Sequence, residues 1–316
     1  CPEGTNMTAV HFDSVHDDAL RRERLYAGDL YVYGACDETL AFAEHARSMI
    51  VEAFNTDYPQ LAQHYLGAEE YAEVLGALKP SFIHHPESSR LLTRVLAKFG
   101  VDLEGTYFEV PKMRSSTSDG YITGGIAYAW HPHRDTWFSA PHCQINWWMP
   151  VYEITETNTM AFYPRYWDEP MENSSSGYNY YRWNVEHRGT HITKHLKHDP
   201  RPLPRGIGDC ELGPELRVVC PPGGIVLFSG AQMHASVENT SGKTRFSVDF
   251  RTAHAGDLAA RKGARNLDSE CSGTCLREFR KASDLAPIPD ELAAIYEDGT
   301  EGLGDVVYRG ETAPKS

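Results

Sequence analysis

The chain lacks what a membrane protein or a nucleic-acid binder needs. No run of residues approaches the ~18 consecutive apolar positions of a spanning helix. Basic residues are in deficit, with 30 Lys and Arg against 44 Asp and Glu and a formal charge of −14. Neither nucleic acid nor an anionic membrane surface is held without a basic patch, so a small molecule is the expected partner. The start shows no basic-then-apolar signal segment, and the protein is expected in the cytoplasm. Cysteine is scarce and odd in number: seven residues scattered at Cys1, Cys36, Cys143, Cys210, Cys220, Cys271 and Cys275. That usage suits reduced thiols better than a disulfide framework. Internal repeats and low-complexity tracts are also missing. Met7 reads as a native start, with "CPEGTN" an addition ahead of it.

What is present is a chain of 316 residues, 41% hydrophobic, able to bury one sizeable core. Its first hundred residues carry helical signals. "CDETLAFAEHARSMIVEAFN" offers Asp37 as an N-cap before Leu40, Ala43, Ile50, Val51 and Phe54 at near-helical intervals, and "PESSRLLTRVLAKFG" starts at Pro86 and stops at Gly100. From residue 104 the period changes to two. "GTYFEVPKMRSS", "GGIAYAWHPHRD", "HCQINWWMPVY" and "NTMAFYP" are short segments rich in aromatic and β-branched residues, divided by Gly, Pro, Ser and Asn. A second group follows as "ELRVVCPPGGIVLFSG", "AQMHASVEN" and "KTRFSVDFRTA", with "NTSGK" as its turn. Eight or so short strands without long intervening helices indicate a sandwich or jelly roll. Residues 164–213 form a polar and aromatic insertion, and "CLREFRKASDLAPIPDELAAIYED" returns to helix. The expected organisation is one domain over 1–316: helical support over 1–103, a β core over 104–252 and a helical tail over 253–316.

The stretch "HPHRDTWFSAPHCQINWW", residues 131–148, concentrates three histidines, an aspartate and three tryptophans. On a strand, residues two apart share a face, so His133 and Asp135 aim at one point while Arg134 turns away. His234 in "QMHAS" is the candidate third ligand. Two imidazoles and a carboxylate on one side of an ion leave the opposite positions open, the arrangement of non-haem Fe(II) oxygenases. Eleven residues past His234, "TRFSVDFR" puts Arg245, Ser247, Asp249 and Arg251 on one face and Phe246, Val248 and Phe250 on the other. A buried arginine is costly unless it meets an anion, and its planar fork suits a carboxylate.

These residues, "HRD" at 133–135, His234 and the "RFS" beginning at Arg245, resemble the H-x-D…H…R-x-S pattern of Fe(II)/2-oxoglutarate-dependent oxygenases, and within them the phytanoyl-CoA hydroxylase-like group. "PPGGIVLFSGAQMHAS" is similar to the strand pair that carries the distal histidine, and the likeness covers residues 104–252. The resemblance implies a mainly β protein with flanking helices, built on a double-stranded β-helix (a jelly-roll, cupin-like core). It implies Fe(II) held by His133, Asp135 and His234, and 2-oxoglutarate on the iron with its far carboxylate on Arg245 and Ser247. O2 is then the cosubstrate, and succinate and CO2 are released. Halogenases of this family replace the carboxylate ligand with a small residue; Asp135 is present, which disfavours halogenation.

Each residue also has a plainer explanation. The three ligands could form a hydrogen-bonded core cluster without metal, and Arg245 a buried salt bridge with Asp249 or a helix carboxylate. For Arg251 salt bridge and substrate contact are equally open, as are substrate contact and packing for His131. In "HCQINWW", His142, Gln144, Asn146 and Trp148 alternate against Cys143, Ile145, Trp147 and Met149, one face fit to line a pocket and the other fit for core. Asn146 or Gln144 is the candidate to reach 2-oxoglutarate, against a purely structural hydrogen bond, and Trp148 a candidate substrate contact. Lys112 and Arg114 of "EVPKMRSS" either meet a substrate anion or stay solvated. His187, His191 and His195 have helical spacing, but Gly189 and the β-branched residues around it argue for a lid over the substrate, not a second metal. "CSGTC" reads as ordinary thiols.

The expected function is oxidation of a small polar metabolite in specialised biosynthesis, by hydroxylation or by desaturation, epoxidation or ring closure. The acidic balance hints at a cationic substrate, and composition leaves self-association open. Two other classes stay in view: a cupin-like hydrolase or isomerase using the same triad without 2-oxoglutarate, and a non-catalytic jelly-roll binding protein.

Overall fold

The computed structural model describes residues 8–127, 131–188, 193–208 and 211–299. In chain order its strands are β1 (Val10–Phe12), β2 (Leu30–Tyr33), β3 (Thr106–Phe108), β4 (Lys112–Ser116), β5 (Ile145–Pro150), β6 (Met160–Phe162), β7 (Leu216–Val218), β8 (Ile225–Ser229), β9 (His234–Ser236), β10 (Arg245–His254) and β11 (Arg280–Lys281). The helices are α1 (Asp18–Tyr26), α2 (Asp37–Phe54), α3 (Ala68–His84), α4 (Pro86–Lys98), α5 (Tyr180–Glu186), α6 (Ala255–Ala259) and α7 (Asp290–Ala294). An eight-stranded sheet runs β1-β2-β8-β5-β10-β3-β11, with β4 also paired to β10, and a three-stranded sheet runs β7-β6-β9.

Alternation along the strands divides the core in two. Tyr31, Tyr33, Ile145, Trp147, Met149, Ile225, Leu227, Phe246, Val248 and Phe250 leave the large sheet on the side of α2, α3 and α4, where they join Phe42, Ile50, Leu75 and Phe82. Leu30, Val32, Trp148, Val226 and Phe228 leave it on the other side and meet Met160, Phe162 and Val218 of the small sheet. The protein is thus sheet-rich with flanking helices, the large sheet lying between a helical layer and the small sheet.

Several boundaries differ from the sequence expectation. The first hundred residues hold two strands as well as helices. Leu30–Tyr33 is buried at every position, and a four-residue apolar run shows no period by which to tell strand from helix. Helix α2 is capped by Cys36, not Asp37, with the Thr39 hydroxyl accepting from the Cys36 N–H at 2.9 Å. The stretch around "NTSGK" does not close a hairpin: β9 pairs with β6 and β10 with β5, so it crosses from one sheet to the other. The tail is mostly not helical. It forms a 3₁₀ turn at Leu276–Glu278, the two-residue β11 and the five-residue α7, because Pro287 and Pro289 interrupt it and Leu285 takes a φ of 63°. No helix among the described residues is long and apolar enough to cross a membrane.

Candidate metal centre

His133 and Asp135 do not share a strand, as the H-x-D spacing suggested. His133 is joined to His234 by an isolated two-way bridge, each N–H donating to the other's carbonyl at 3.0 Å. Arg134 is still extended, and Asp135 opens a 3₁₀ turn over Asp135–Phe138. The two side chains nevertheless converge because Arg134 between them is anchored on the opposite side. Its guanidinium pairs with Asp268 at 3.1 Å and donates to the carbonyls of Ala231, Tyr166 and Glu169, almost wholly buried. Asp268 in turn accepts from Trp137 Nε1 at 2.8 Å and Met171 N at 2.9 Å. This knot fixes the loop that presents both ligands.

The convergence is tight. One ligand atom each from His133, Asp135 and His234 lies within 4.8 Å of the others, and among the described residues no other group of His, Cys, Asp and Glu could share an ion. Asp135 Oδ1 stands 3.5 Å from His133 Nε2 and 3.9 Å from His234 Nε2. The tautomers follow from the second nitrogens. His133 Nδ1 donates to the His131 carbonyl at 2.7 Å and His234 Nδ1 to the Gln232 carbonyl at 2.8 Å, which leaves both Nε2 lone pairs facing Asp135. Burial and the neighbouring His133 push His234 down to about 3, so its imidazole is neutral and able to ligate. Burial alone would raise Asp135, but the Arg251 guanidinium holds it well below the usual carboxylate range. The donor set fits a divalent ion on one side with open positions opposite.

The other carboxylate oxygen is already occupied. Asp135 Oδ2 accepts from Gln144 Nε2 at 2.9 Å, from Asn146 Nδ2 at 2.8 Å and from Arg251 Nε at 3.4 Å, and Gln144 also donates to Asn146 at 2.9 Å. Gln144 and Asn146, the candidates for 2-oxoglutarate, therefore orient Asp135 through their amides while lining the cavity. Arg251 is also in ion pairs with Glu109 at 3.1 Å and Asp249 at 3.2 Å. Asp249 pairs in addition with Arg114 at 2.7 Å, and Glu109 with Lys112.

Arg245 is placed differently. It is 4% exposed, and no carboxylate of the described residues lies within salt-bridge distance of it. Asp249, its expected partner, is taken by Arg114 and Arg251. Its Nη1 donates to the carbonyls of Asn158 and Thr159 at 3.2 and 3.1 Å, its Nη2 to Ser236 Oγ at 3.0 Å, and its Nε to nothing. The guanidinium stacks over Trp148 at 5.6 Å. Burial pushes Arg245 down to about 10, so it remains a cation at neutral pH. Ser247 Oγ, fully buried, likewise has no partner.

Triad and Arg245 open into one cavity of about 820 Å³. Gln144, Asn146 and Trp148 line it while Cys143, Ile145, Trp147 and Met149 enter the helix-side core, as the alternation of β5 requires. Trp147 touches the cavity as well. The insertion contributes Tyr178, Tyr180, Trp183, Arg188, Arg201 and Leu203 to the wall. His131 is exposed, and its contribution to the centre is its carbonyl. The helical histidine series does not form as one helix in what is described: α5 ends at Glu186, His187 follows as its cap, and His191 lies outside the described residues, as do Met7, Cys1 and Cys210. Cys271 and Cys275 are free thiols. Sequence reasoning missed Lys79, Glu109, Arg188 and Glu278, which line the same cavity. Only Glu109 left a trace, as a lone carboxylate inside the strand-like "TYFEV".

No family model and no curated protein matches the chain. Among solved structures it is similar to SnoK, a non-heme alpha ketoglutarate dependent carbocyclase from nogalamycin biosynthesis, with 14% identity over 80% of this chain and 88% of that chain and a TM-score of 0.38. It is similar to the epimerase SnoN in complex with Fe3+, alpha ketoglutarate and nogalamycin RO, with 15% identity over 75% and 85% and a TM-score of 0.37. AviO1 from Streptomyces viridochromogenes Tue57 gives 14% identity over 76% and 96% and a TM-score of 0.39. Similarity this distant leaves the function to be argued from the site itself.

Proposed function

We propose that this protein is a non-haem Fe(II)/2-oxoglutarate-dependent oxygenase of a small metabolite, its two sheets read as a double-stranded β-helix. One observation carries the reading. A cluster of two imidazoles and a carboxylate shares a cavity with a buried guanidinium that has no carboxylate partner among the described residues. A structural core cluster needs no cavity, and a structural arginine would have taken Asp249.

Fe(II) fits His133 Nε2, His234 Nε2 and Asp135 Oδ1, while the carboxylate of 2-oxoglutarate fits Arg245 Nε, the spare N–H of its Nη2 and the Ser247 hydroxyl. Bound there, iron and 2-oxoglutarate supply O2-dependent oxidation of a substrate C–H bond with release of succinate and CO2. The chain's own part is positional. Gln144, Asn146 and Arg251 hold Asp135 by one oxygen so that the other faces the ion, and the Asn158 and Thr159 carbonyls aim the Arg245 fork. Tyr178, Tyr180 and Trp183 keep water from the open side. Whether the outcome is hydroxylation, desaturation, epoxidation or ring closure depends on how the substrate lies against that wall.

The test is anaerobic titration of the apo-protein with Fe(II) and then 2-oxoglutarate, watching for the weak visible charge-transfer band of a keto acid chelated to Fe(II). The band is expected in the wild type and absent at moderate 2-oxoglutarate in His234→Ala and Arg245→Ala. Iron binding without a band would overturn the proposal in favour of a metal-dependent hydrolase or isomerase. Succinate formation under O2 is the corresponding turnover readout.

A further inference from the structure

The cavity's charge is opposite in sign to the chain's. Most of its cations are answered from within the protein: Lys112 and Arg251 by Glu109, Arg114 by Asp249, Arg188 by Glu278 and Arg201 by Asp199. Among the described residues two are without a carboxylate partner, the buried Arg245 and the half-buried Lys79, and the exposed Lys194 adds a third. Arg245 has a proposed occupant in 2-oxoglutarate. Lys79 has none.

Lys79 sits on α3, which turns Gly76, Lys79, Pro80 and Ile83 toward the cavity at helical spacing. Its ammonium donates to the Ile126 carbonyl, and no carboxylate of the described residues lies within salt-bridge distance. Its charged surroundings are Arg114 on β4 and Asp249 on β10, and Asp249 is already bound by two guanidiniums. Burial and the Arg114 charge push the Lys79 amine down to about 7, the signature of a cation short of an anion. Cross-strand register places the neighbouring charges on one face: Arg114 lies opposite Ser247 and Lys112 opposite Asp249. Two further cavity-lining groups, Ser115 Oγ and Trp183 Nε1, are buried without any hydrogen-bond partner. Trp183 can only donate. Both unanswered cations and the unanswered indole call for acceptor oxygens.

We propose that Lys79, at the α3–β4 side of the cavity, binds an anionic group of the substrate, and that the substrate is an organic acid whose apolar body lies against Tyr178, Tyr180 and Trp183. The inference deepens the oxygenase reading by naming the substrate class and reverses the cationic substrate that net charge alone suggests. Overall charge describes the outer surface, whereas the substrate meets only the cavity wall. A carboxylate and a phosphate satisfy the same donors, and the assay separates them.

The experiment uses the full chain loaded anaerobically with Fe(II) and saturating 2-oxoglutarate, so that Arg245 is occupied when the probe is added. Binding of 2-naphthoate, 2-naphthyl phosphate, 2-naphthalenemethanol and 2-naphthylmethylamine is followed by quenching of tryptophan fluorescence. One of the two anions is expected to bind at least about tenfold more tightly than the neutral alcohol and the amine, the usual scale of a charged hydrogen bond. Lys79→Met is expected to erase that preference and Lys79→Arg to restore most of it, with the 2-oxoglutarate band unchanged in both. The proposal is overturned if no probe binds at millimolar concentration, if alcohol or amine matches the anions, or if Lys79→Met keeps the preference. Failure of the band with anion preference intact removes the oxygenase reading and leaves the anion site standing, because the probe is then repeated with Zn(II) in place of iron.

Discussion

Replacing Arg245 by Gln separates the 2-oxoglutarate reading from every structural explanation of that residue. Of the five guanidinium N–H groups, three are used by the Asn158 and Thr159 carbonyls and Ser236 Oγ. The two left, on Nε and Nη2, are neighbours on one edge of the fork and match a carboxylate bidentately. Each hydrogen bond to a charged group contributes about 1.5–3 kcal/mol, so two contribute about 3–6 kcal/mol; at 1.4 kcal/mol per decade, Kd for 2-oxoglutarate should rise at least about a hundredfold. Arg245→Lys keeps the charge without the fork and should fall between the two. The same substitutions strip donors from three buried acceptors, so thermal stability drops as well. Fe(II) affinity is therefore measured alongside, since the triad lies outside the Arg245 hydrogen bonds and should change little. Anaerobic titration of the iron-loaded proteins supplies both constants. If Arg245→Gln takes up 2-oxoglutarate within about threefold of wild type while retaining iron, the fork has no carboxylate partner and the reasoning fails.

Three other outcomes follow from the site. Asn146→Leu removes one of the amides on Asp135 Oδ2 and should weaken Fe(II) binding about 10–100-fold, the usual effect of losing a group that orients a ligand; an unchanged Kd by metal competition would leave the amide no positioning role. Arg134→Met leaves Asp268 buried and unpaired and should cost about 3–5 kcal/mol in urea unfolding, together with iron affinity, because both ligands ride on that loop; a loss below about 1 kcal/mol would refute the knot. The anion preference should decline as pH rises through about 7, since Lys79 is pushed down to about 7 and only its protonated form attracts an anion; Asp249, held below the usual carboxylate range by Arg114 and Arg251, keeps its charge through that range. A flat profile from pH 6 to 9 would exclude Lys79 as the titrating partner.

The three side chains that converge, His133, Asp135 and His234, were legible in the sequence because ligand chemistry restricts residue type, and they come together even where the predicted conformation does not hold. His133 and Asp135 converge across an extended residue and a 3₁₀ turn, not along a strand. The alternation of β5 and β10 was legible for a simpler reason: one face of each is apolar, while the other carries polar or charged side chains, Asn146 on β5 and Arg245, Ser247, Asp249 and Arg251 on β10. What stayed hidden were partnerships between distant positions. Arg134 with Asp268, Arg188 with Glu278 and Arg114 with Asp249 join residues 134, 90 and 135 apart, and no local period encodes such pairs. Lys79 looked like any solvated lysine on an amphipathic helix. Only the fold shows that the helix lies over a cavity.

The division of labour along β10 explains why one strand can serve the whole site. Arg245, Ser247, Asp249 and Arg251 share a face, yet they perform different tasks because their neighbours differ. Arg251 reaches Asp135 and Glu109; Asp249 absorbs the charges of Arg251 and Arg114; Arg245, two pleats further along, meets only carbonyls and a hydroxyl. Asp249 therefore acts as an insulator. By occupying the nearest guanidiniums it leaves Arg245 without a carboxylate and Lys79 without a counter-ion, and that keeps both ready for anions from solution. A one-residue slip of β10 would turn Phe246, Val248 and Phe250 into the cavity and bury the four polar groups among α2 and α3. The helix-side core accordingly sets the register on which the site depends: Phe246 against Phe54 at 5.9 Å and Phe250 stacked on Trp147 at 5.5 Å hold the strand with its charges facing the cavity.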